Sequence, residues 1–506
     1  MPMQANVDSK RVAKNTIVLY FRMLFQMVVF FYTSRVVLKE LGFEDYGIYD
    51  VVGAAIGILV FLNNSMLNCT QRFITFAIGK NNVDYLNSVY SVSLIIHTLL
   101  ALLIFIVGET VGLWYVNNFM VIPACRMDAA IMVYHCSLLS AVVMVMSVPY
   151  NSAIVAYEKM TAFASITILD VLLKLGIVLA LPFFSGDKLK NYALLMLAEA
   201  VAIRLVYGLY CNFNFKNLSF VWVKAGKLYK EMLSFAGWST FGNFALACNV
   251  QGMNLLLNAF GGAVLNAARG AAFQVQMGVT AFTASFQTAI NPQITKSYAS
   301  GDLRSMNKLV LRSSRFSFFL LLFIALPLAL EMPAVLDLWL SDVPPYTVAF
   351  TRLLLCVTLV DAVANSMMIG VSATGKIKYY HIVIGLTLLC ALPLAWLLLK
   401  ITANPVMAFV AQLTVVLVAQ LFRMFFCRNL FCFSLSAFAI EVLCPIVKVA
   451  LLAIPVSCLA HYYLSGTLIG SVVVTVVTVL MVALSVLLLG LTKNERMFLF
   501  KKLHIL

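Results

Sequence analysis

Long apolar runs alternate with short polar connections along the whole chain of 506 residues. A helix needs about 20 predominantly apolar residues to cross the roughly 30 Å of hydrocarbon in a bilayer, and runs of this length recur throughout. The residue-by-residue alternation of a membrane β-strand does not occur. The pattern therefore predicts an all-α polytopic membrane protein with about 14 transmembrane helices. The predicted helices lie near residues 15–38, 46–77, 86–114, 128–155, 161–184, 191–212, 233–257, 263–294, 308–331, 345–373, 378–400, 404–426, 438–461 and 466–491.

A short motif appears twice, at the ends of the second and eighth predicted helices. Residues 70–82 read TQRFITFAIGKNN, and a weaker match, AINPQITKSYASGD, begins at residue 289. Helices 1–6 and 7–12 are therefore predicted as two parallel repeats, with helices 13 and 14 appended. An even number of helices preserves orientation, so we expect an axis along the membrane normal between the repeats and a substrate site between them. The alignment pairs Gln71 with Asn291, Ile74 with Ile294, Thr75 with Thr295, Asn82 with Asp302, and Asn87 with Asn307.

The predicted domain borders follow from this repeat. Residues 1–215 form an N-terminal six-helix half, and residues 233–430 form a C-terminal six-helix half. Residues 216–232 are predicted as a cytoplasmic linker whose basic, amphipathic sequence suits the inner membrane face. Residues 431–506 contribute two additional helices and a basic tail.

Polar side chains form a stripe on two helices that occupy equivalent places in the repeats. Their spacings keep each stripe on one side of a helix with 3.6 residues per turn. A hydrogen bond between packed helices, worth about 1 kcal/mol, is the favoured explanation for any single Asn or Gln. Two stripes at matching positions favour a hydrated lumen instead. The stripes are Asp50, Asn64, Asn68 and Arg72 in helix 2, and Arg269, Gln276, Thr280, Thr283, Gln287 and Asn291 in helix 8.

Composition excludes an ordinary soluble protein. Charged residues make up 11% of the chain and hydrophobic residues 63%, whereas a soluble domain has about 25% charged residues. Lys and Arg, among them Arg423, concentrate on connections that lie on the side of Lys10, Arg11 and Lys14, so both termini are predicted to be cytoplasmic. Lys188 and Lys190 fall on the opposite side, against this rule. Much of the net charge of +15 is thus explained by the Lys and Arg residues that set the orientation in the membrane, and nucleic acid is not expected as a partner.

Four arginines within or near predicted spans are candidate ligands, because an ionisable group at membrane depth is costly. For Arg35 and Arg72 the alternative is contact with the lipid headgroups, since both lie near helix ends. Arg22 and Arg269 are harder to explain in this way, because they lie further from the predicted helix ends. A lumen with a surplus of Arg would favour an anion, because the guanidinium offers a planar fork of donors suited to phosphate.

Other charged residues within the spans are candidates for coupling. Asp170 and Lys174 are spaced i,i+4, so they can neutralise each other or handle a proton. Glu199 and Arg204 are five residues apart and should have separate partners, which makes Arg204 a further candidate for the lumen. Asp361 is the most isolated acid and the best candidate for a protonatable coupling site, although a hydrogen bond to a neighbouring helix would also explain it.

Signals of catalysis are weak. The segment GVSATGKI from residue 370 matches GxxxxGK, but Ile377 stands where a Ser or Thr should hold magnesium, and a helix end at Gly375 explains the segment better. The cysteines are scattered without a CxxC pair. We therefore expect no enzyme activity, no catalytic residues, no metal site and no cofactor.

The first sixth of the chain resembles bacterial polysaccharide flippases of the O-antigen and capsule type, within the multidrug/oligosaccharidyl-lipid/polysaccharide (MOP) exporter superfamily. The elements that carry the resemblance are TSRVVL at 33–38, the LGFEDYGIY run at 41–49 and TQRF at 70–73, with a weaker match in ATGKIKYY at 373–380. The helix count and the repeat extend the resemblance over nearly the whole chain.

The resemblance implies an inner-membrane carrier that moves an undecaprenyl-diphosphate-linked oligosaccharide, a repeat unit of lipopolysaccharide or another surface polysaccharide, to the periplasmic face by alternating access. It also implies coupling to protons, sodium ions or the membrane potential, and as partners membrane lipids and the polysaccharide polymerase and chain-length machinery. Coupling is assigned to Asp361, Asp170, Lys174 and Glu199. The expected substrate-binding residues are Arg22, Arg35, Arg72, Arg204, Arg269, Asn64, Asn68, Gln276 and Gln287.

Two rival functions remain open. A cation-coupled multidrug antiporter of the same superfamily should line its lumen with acids and aromatic residues, so the sign of the lumen charge distinguishes the two carriers. A membrane glycan polymerase or ligase should have a large periplasmic loop with catalytic side chains, which the sequence lacks.

Overall fold

The computed structural model describes residues 5–119, 122–222, 225–340, 343–493 and 495–497. Throughout these ranges the regular structure is helical, with no strand assigned, which confirms the predicted all-α class. Ten helices in this part of the chain are long and apolar enough to cross a membrane. The described residues separate into two compact units, Met1–Thr240 and Phe241–Leu506.

Helix α1 (Ala5–Gly79) is far longer than a membrane crossing, and a single glycine divides it. Gly42 has φ 78° and ψ 172°, a combination that side-chain-bearing residues almost never adopt. Arms 5–41 and 43–79 therefore correspond to the two helices predicted near 15–38 and 46–77.

The remaining helices of the first unit pack around α4. This helix contacts α1, α2 and α6, while α5 contacts α1 and α6. On α4, Tyr134, Leu138 and Val145 are almost completely buried in the apolar core. The elements are α2 (Val83–Val107), a π-helical turn (Gly108–Gly112), α3 (Leu113–Phe119), a 3₁₀ turn (Ala124–Arg126), α4 (Met127–Ala156), α5 (Met160–Ala180), a 3₁₀ turn (Leu181–Phe183) and α6 (Lys188–Asn214).

Helix α7 (Gly226–Ala299) also contains two membrane crossings. Arg269 Nη2 donates a hydrogen bond of 2.8 Å to the carbonyl of Val250, which precedes it by 19 positions. In a straight helix these residues would lie about 28 Å apart, so the chain reverses direction between them. The two arms match the helices predicted near 233–257 and 263–294. The ten separate spans and the four arms of α1 and α7 together give the 14 predicted helices.

The second unit is built around α10, which packs against α8 and α13. Helices α11 and α12 form one span against α13, and the appended helices α15 and α16 pack on α8. The elements are α8 (Leu303–Leu330), α9 (Met332–Trp339), α10 (Thr347–Thr374), α11 (Lys378–Leu389), α12 (Ala391–Thr402), α13 (Met407–Phe431), α14 (Leu435–Phe438), a π-helical turn (Ala439–Leu443), α15 (Cys444–Leu464), α16 (Leu468–Ser485) and a π-helical turn (Val486–Gly490).

Residues 216–232, predicted as a linker with one amphipathic segment, do not form a single element. The chain is non-helical at 215–222, and α7 begins at Gly226. The backbone N–H groups of Ser219 and Val221 donate to the side chains of Asn87 and Ser91, one turn apart on α2. Residues 219–221 are therefore held by α2, and the contact of this linker with the inner membrane face stays a prediction.

Equivalent residues of the two predicted repeats make equivalent local bonds. Asn82 caps α2 by accepting a hydrogen bond from the N–H of Tyr85, and Asp302 caps α8 by accepting one from Ser305. A separate motif, GVSATGKI at residues 370–377, includes the last residues of α10. Gly375 caps this helix in a left-handed conformation with φ 79°. The segment GVSATGKI is thus the C-terminus of a helix, as the sequence predicts.

Candidate functional site

A cavity of about 480 Å³ lies within the second unit. This volume is in the range of about 300–1,000 Å³ that is typical of ligand sites. Both arms of α7, together with α10 and α13, supply most of its wall. Its polar lining consists of Asn249, Arg269, Gln276, Thr280, Thr283, Gln287, Thr358, Asp361, Asn365, Gln412 and Arg423.

The predicted stripe of helix 8 faces this cavity. Five of its six members, from Arg269 to Gln287, belong to the lining. Asn291, one turn further along, does not belong to it, and its Oδ1 is buried without a hydrogen-bond partner in the described residues. The helical periodicity of the sequence therefore identified one wall of the cavity.

Arg269 is 6% exposed and contributes a positive charge to the cavity wall. Its guanidinium donates to the side-chain oxygen of Asn254 and to the carbonyl of Val250, and it lies 5.6 Å from the centre of the Phe273 ring. All of these partners are neutral. Among the described residues, no carboxylate lies within ion-pair distance of Arg269, so its charge remains available to a ligand.

Asp361 is not isolated, contrary to the expectation from the sequence. Its Oδ1 lies 3.5 Å from Nη1 of Arg423, on α13. The charge pattern of the sequence predicts a cytoplasmic position for Arg423, but the residue is 8% exposed and lines the cavity. Gln412 lies 11 residues, or three turns, earlier on α13 and lines the same cavity, so a polar stripe on this helix was the missed signal.

The amide side chains on the wall also hydrogen-bond between helices. Gln276 Nε2 donates to Thr358 Oγ1 at 3.0 Å. Gln287 Nε2 donates to the carbonyl of Ala362 at 3.2 Å, and Gln287 accepts from Asn365. Gln276 and Gln287 therefore do both things that the sequence left open: they hydrogen-bond between packed helices, and they line the cavity.

The coupling candidates of the first unit lie together, and Arg204 lies apart from them. Lys174 Nζ lies 2.7 Å from Asp170, which is the predicted i,i+4 pair, and 4.0 Å from Glu199 on α6. The side chain of Glu199 is 4% exposed, and its Oε1 has no hydrogen-bond partner in the described part of the chain. Arg204 lies 3.9 Å from the centre of the Tyr150 ring instead. Glu199 and Arg204 therefore have different partners, as expected.

The other predicted arginines of the first unit contact aromatic rings. Arg22 lies 4.8 Å from the centre of the Phe163 ring, and its Nε is buried without a hydrogen-bond partner among the described residues. Arg72 lies 4.5 Å from Phe73 and 5.5 Å from Phe235, at the cytoplasmic end predicted for α1. Asn68 is exposed. The side chains of Asp50, Asn64 and Arg35 lie outside the described residues.

The two lysines that violate the positive-inside pattern are paired with acids. Lys188 lies 3.0 Å from Glu40, and Lys190 pairs with Asp128. Beside them, Arg126 bridges Asp45 and Asp187. This group, called the loop ion cluster below, comprises Glu40, Asp45, Arg126, Asp128, Asp187, Lys188 and Lys190.

Hydrogen bonds dominate the ionisation of Asp187 in this cluster. Partial burial opposes ionisation of the carboxyl. Bonds from Arg126 and from the N–H groups of Lys190 and Leu189 outweigh burial and lower the pKa of Asp187 below its usual range.

No protein-family model and no curated protein matches the chain. Solved transporter structures match most of it. A MATE transporter in complex with MaD3S superposes with a TM-score of 0.72 at 14% identity, over 83% of this chain and 96% of that chain. An outward-facing multidrug resistance MATE family transporter of the MOP superfamily gives 0.72 at 15% identity, over 83% and 95%.

A third structure is a MOP superfamily transporter from Pyrococcus furiosus, described as having a binding pocket of reverse polarity that suggests a different function. It superposes with a TM-score of 0.69 at 16% identity, over 84% of this chain and 96% of that chain. Identities this low establish the fold alone. The chain is thus a multi-pass membrane protein with the fold of MOP superfamily transporters, and the flippase subtype stays a prediction.

Proposed function

We propose that the protein is a flippase that carries an undecaprenyl-diphosphate-linked oligosaccharide across the bacterial inner membrane by alternating access. The observation that carries the proposal is Arg269, a buried guanidinium on the cavity wall whose described partners are all neutral. A diphosphate would neutralise this charge through charge-assisted hydrogen bonds in a planar fork.

The charge balance of the cavity supports an anionic ligand. Its described lining holds two guanidinium groups, Arg269 and Arg423, and one carboxylate, Asp361. Asp361 is already paired with Arg423, which leaves the charge of Arg269 in excess. The amides and hydroxyls of the same wall suit the hydroxyl groups of sugars.

The physical task fits such a cavity. A charged diphosphate and a hydroxyl-rich glycan are costly to move through hydrocarbon, whereas a polyprenyl tail is stable in lipid. A protein that shields the polar head while the tail remains in the bilayer removes most of this cost. We propose coupling to protons, sodium ions or the membrane potential, with Asp361, Asp170, Lys174 and Glu199 as the candidate residues.

A multidrug antiporter is the second candidate. Two observations favour it: Asp361 is half exposed to the cavity, and Phe273 and Phe409 lie in the lining. Organic cations bind to acids and aromatic faces. The Pyrococcus furiosus transporter, with its reverse-polarity pocket, indicates that this fold accommodates pockets of different sign.

Flipping in proteoliposomes tests the proposal. The full chain is reconstituted with an undecaprenyl-diphosphate oligosaccharide that carries an NBD group on a sugar, and dithionite outside the vesicle reports which labelled sugars have moved outward. We expect wild type to accelerate flipping over empty vesicles and Arg269→Gln to slow it by about tenfold or more, because truncating one member of a buried charge contact costs several kcal/mol. Arg304→Gln, at an exposed site, should behave as wild type.

Deletion of the gene distinguishes the flippase from the multidrug antiporter. The flippase predicts that complete lipid-linked repeat units accumulate on the cytoplasmic leaflet. Normal export of surface polysaccharide together with altered drug resistance would overturn the proposal in favour of the antiporter.

A further inference from the structure

Three amide side chains on the cavity wall direct their nitrogens into the protein and leave their oxygens to the cavity. The first is Asn249, whose Nδ2 donates a hydrogen bond of 2.7 Å to the carbonyl of Leu388 on α11. A backbone carbonyl can only accept, so this partner determines which end of the amide is the nitrogen. Among the described residues nothing donates to Oδ1 of Asn249, and this oxygen is not buried. Asn249 therefore offers an acceptor to a ligand.

Gln276 is oriented by the same kind of constraint. Its Nε2 donates to Thr358 Oγ1 at 3.0 Å, and Thr358 in turn donates to the carbonyl of Leu354 at 2.8 Å. Because the single hydroxyl proton of Thr358 is already used, this hydroxyl must accept from Gln276. Oε1 of Gln276 has no donor in the described part of the chain and is accessible from the cavity.

Asn365 is the third of these amides. Gln287 Nε2 donates to the carbonyl of Ala362 at 3.2 Å, so its Oε1 is the atom that accepts from Nδ2 of Asn365. Oδ1 of Asn365 then remains accessible on the cavity wall, without a donor in the ranges that the structure describes. All three amides thus present oxygen to the cavity.

The rest of the wall has few donors to add. Thr280 and Thr283 donate their hydroxyl protons to backbone carbonyls of α7, at 2.8 Å and 3.0 Å, and keep only lone pairs for a ligand. Arg423 is already paired with Asp361. Arg269, with its neutral partners, is therefore the charged donor that the described lining offers to a ligand.

This division of donors and acceptors matches a ligand with two chemically different parts. Sugar hydroxyl and N-acetyl N–H groups donate hydrogen bonds, so they satisfy oxygens that would otherwise lose their water on binding. An ionised phosphate or carboxylate only accepts, so it is unfavourable beside the acceptors and favourable at Arg269. Gln412 can serve either part, because no described residue bonds to its amide.

The acceptors extend along the wall from Arg269. Asn249 is the neighbour of Val250, whose carbonyl accepts from Arg269. Gln276 lies two turns from Arg269, about 10 Å along the same face of α7. Asn365 bonds to the same arm of α7 a further three turns along. The acceptors therefore begin beside the guanidinium and continue over more than one sugar unit of a bound glycan.

We propose that the cavity selects an oligosaccharide of neutral sugars, with hydroxyl and N-acetyl groups bound by Asn249, Gln276 and Asn365 and the diphosphate bound by Arg269. This inference rests on the proposed function and names its substrate class. A sugar that carries a carboxylate is disfavoured on this wall, because its charge would face oxygens that cannot donate. The arrangement also orients the substrate, with the diphosphate at one end of the row of acceptors and the glycan along it.

Calorimetry on the full chain in nanodiscs, near neutral pH, tests the proposal with three probes. They are farnesyl diphosphate, farnesyl diphosphate linked to two N-acetylglucosamine units, and the same molecule with glucuronic acid as its second sugar. We expect wild type to bind the neutral glycan probe about tenfold more tightly than farnesyl diphosphate and severalfold more tightly than the acidic probe. Gln276→Met and Asn365→Leu should each reduce the preference for the neutral glycan severalfold. Arg269→Gln should weaken the binding of all three probes.

Gln420→Met is the matched control. Gln420 is a buried amide of α13 that donates to Met367 Sδ of α10, so it also joins two helices, but it lies outside the cavity lining. Its substitution should keep the preference for the neutral glycan. A loss equal to that of Gln276→Met would assign the preference to helix packing and overturn the inference.

Two further outcomes separate this inference from the proposed function. If wild type binds all three probes without preference for the neutral glycan, the inference is wrong and the proposed function stands. If wild type binds none of them, both proposals fall.

Discussion

Asn87 and Asn307 each bind the backbone at the end of the sixth membrane helix of their own unit. Asn87 Oδ1 accepts a hydrogen bond of 3.0 Å from the N–H of Ser219, just beyond α6. Asn307 Nδ2 donates one of 3.3 Å to the carbonyl of Phe431, the last residue of α13. The alignment of the two predicted repeats pairs these asparagines, and in each case the third helix binds backbone at or just beyond the end of the sixth.

The first prediction concerns the bend of α1. Gly42→Ala should destabilise the protein by about 1–3 kcal/mol, because φ 78° and ψ 172° suit only glycine. A Cβ at this position would meet no atom within 4 Å, so the cost comes from the backbone alone. Thermal unfolding in detergent measures the effect. Gly176→Ala is the matched control: it has equal space within α5 and should be neutral or stabilising.

The second prediction concerns a buried pair near the C-terminus. Glu495 accepts two hydrogen bonds of 2.7 Å from Arg315, whose side chain is 4% exposed. Glu495→Gln should cost about 3–5 kcal/mol, because it leaves a buried guanidinium uncompensated. Arg312, at 3.4 Å from Glu495 and 41% exposed, is the control. Arg312→Gln should shift the melting temperature far less, and an equal shift would argue against the role of burial.

The third prediction follows from the lowered pKa of Asp187. A depressed pKa in the folded state contributes stability that is complete above the unfolded value of about 3.9 and is lost as pH falls through the folded value. Asp187→Asn should therefore lower the melting temperature at pH 7, and its difference from wild type should shrink below about pH 4. Asn can still cap α6, so the change isolates the charge.

A control for this third prediction is Asp84→Asn. Asp84 is exposed in the first turn of α2, outside the loop ion cluster. Its substitution should change the melting temperature little at any pH. A difference between Asp187→Asn and wild type that stays constant from pH 7 to pH 3 would contradict the electrostatic explanation.

The fourth prediction separates charge from shape at Arg269. Arg269→Lys keeps the positive charge but loses the planar fork that reaches both Asn254 and the carbonyl of Val250. Flipping should therefore be intermediate in Arg269→Lys and lowest in Arg269→Gln, as measured by the dithionite assay. Full activity in both variants would remove Arg269 from the substrate site.

Some parts of the site could be predicted because they depend on one helix at a time. The stripe from Arg269 to Gln287 follows from helical spacing, and the structure has it on the cavity wall. The pair of Asp170 and Lys174 follows from the i,i+4 rule and is present at 2.7 Å. In both cases the sequence separation itself determines the distance between side chains.

Other parts required the packing of distant segments. Arg423 follows Asp361 by 62 positions on another helix, and hydropathy alone assigned it to the cytoplasmic edge. Lys188 lies on the side where the positive-inside rule predicts few cations, and Glu40, far earlier in the chain, pairs with its charge there. Each case turns on which helix faces which, and periodicity within a single helix does not contain that information.

The sequence by itself determined the all-α membrane class and the 14 helices, because the need to bury apolar surface and satisfy backbone hydrogen bonds in lipid acts on each span separately. Only the tertiary structure decided which charges are neutralised and which remain available, because an ion pair depends on a few ångströms between side chains from different helices. In the folded chain Arg269 has neutral partners, whereas Asp361 pairs with Arg423.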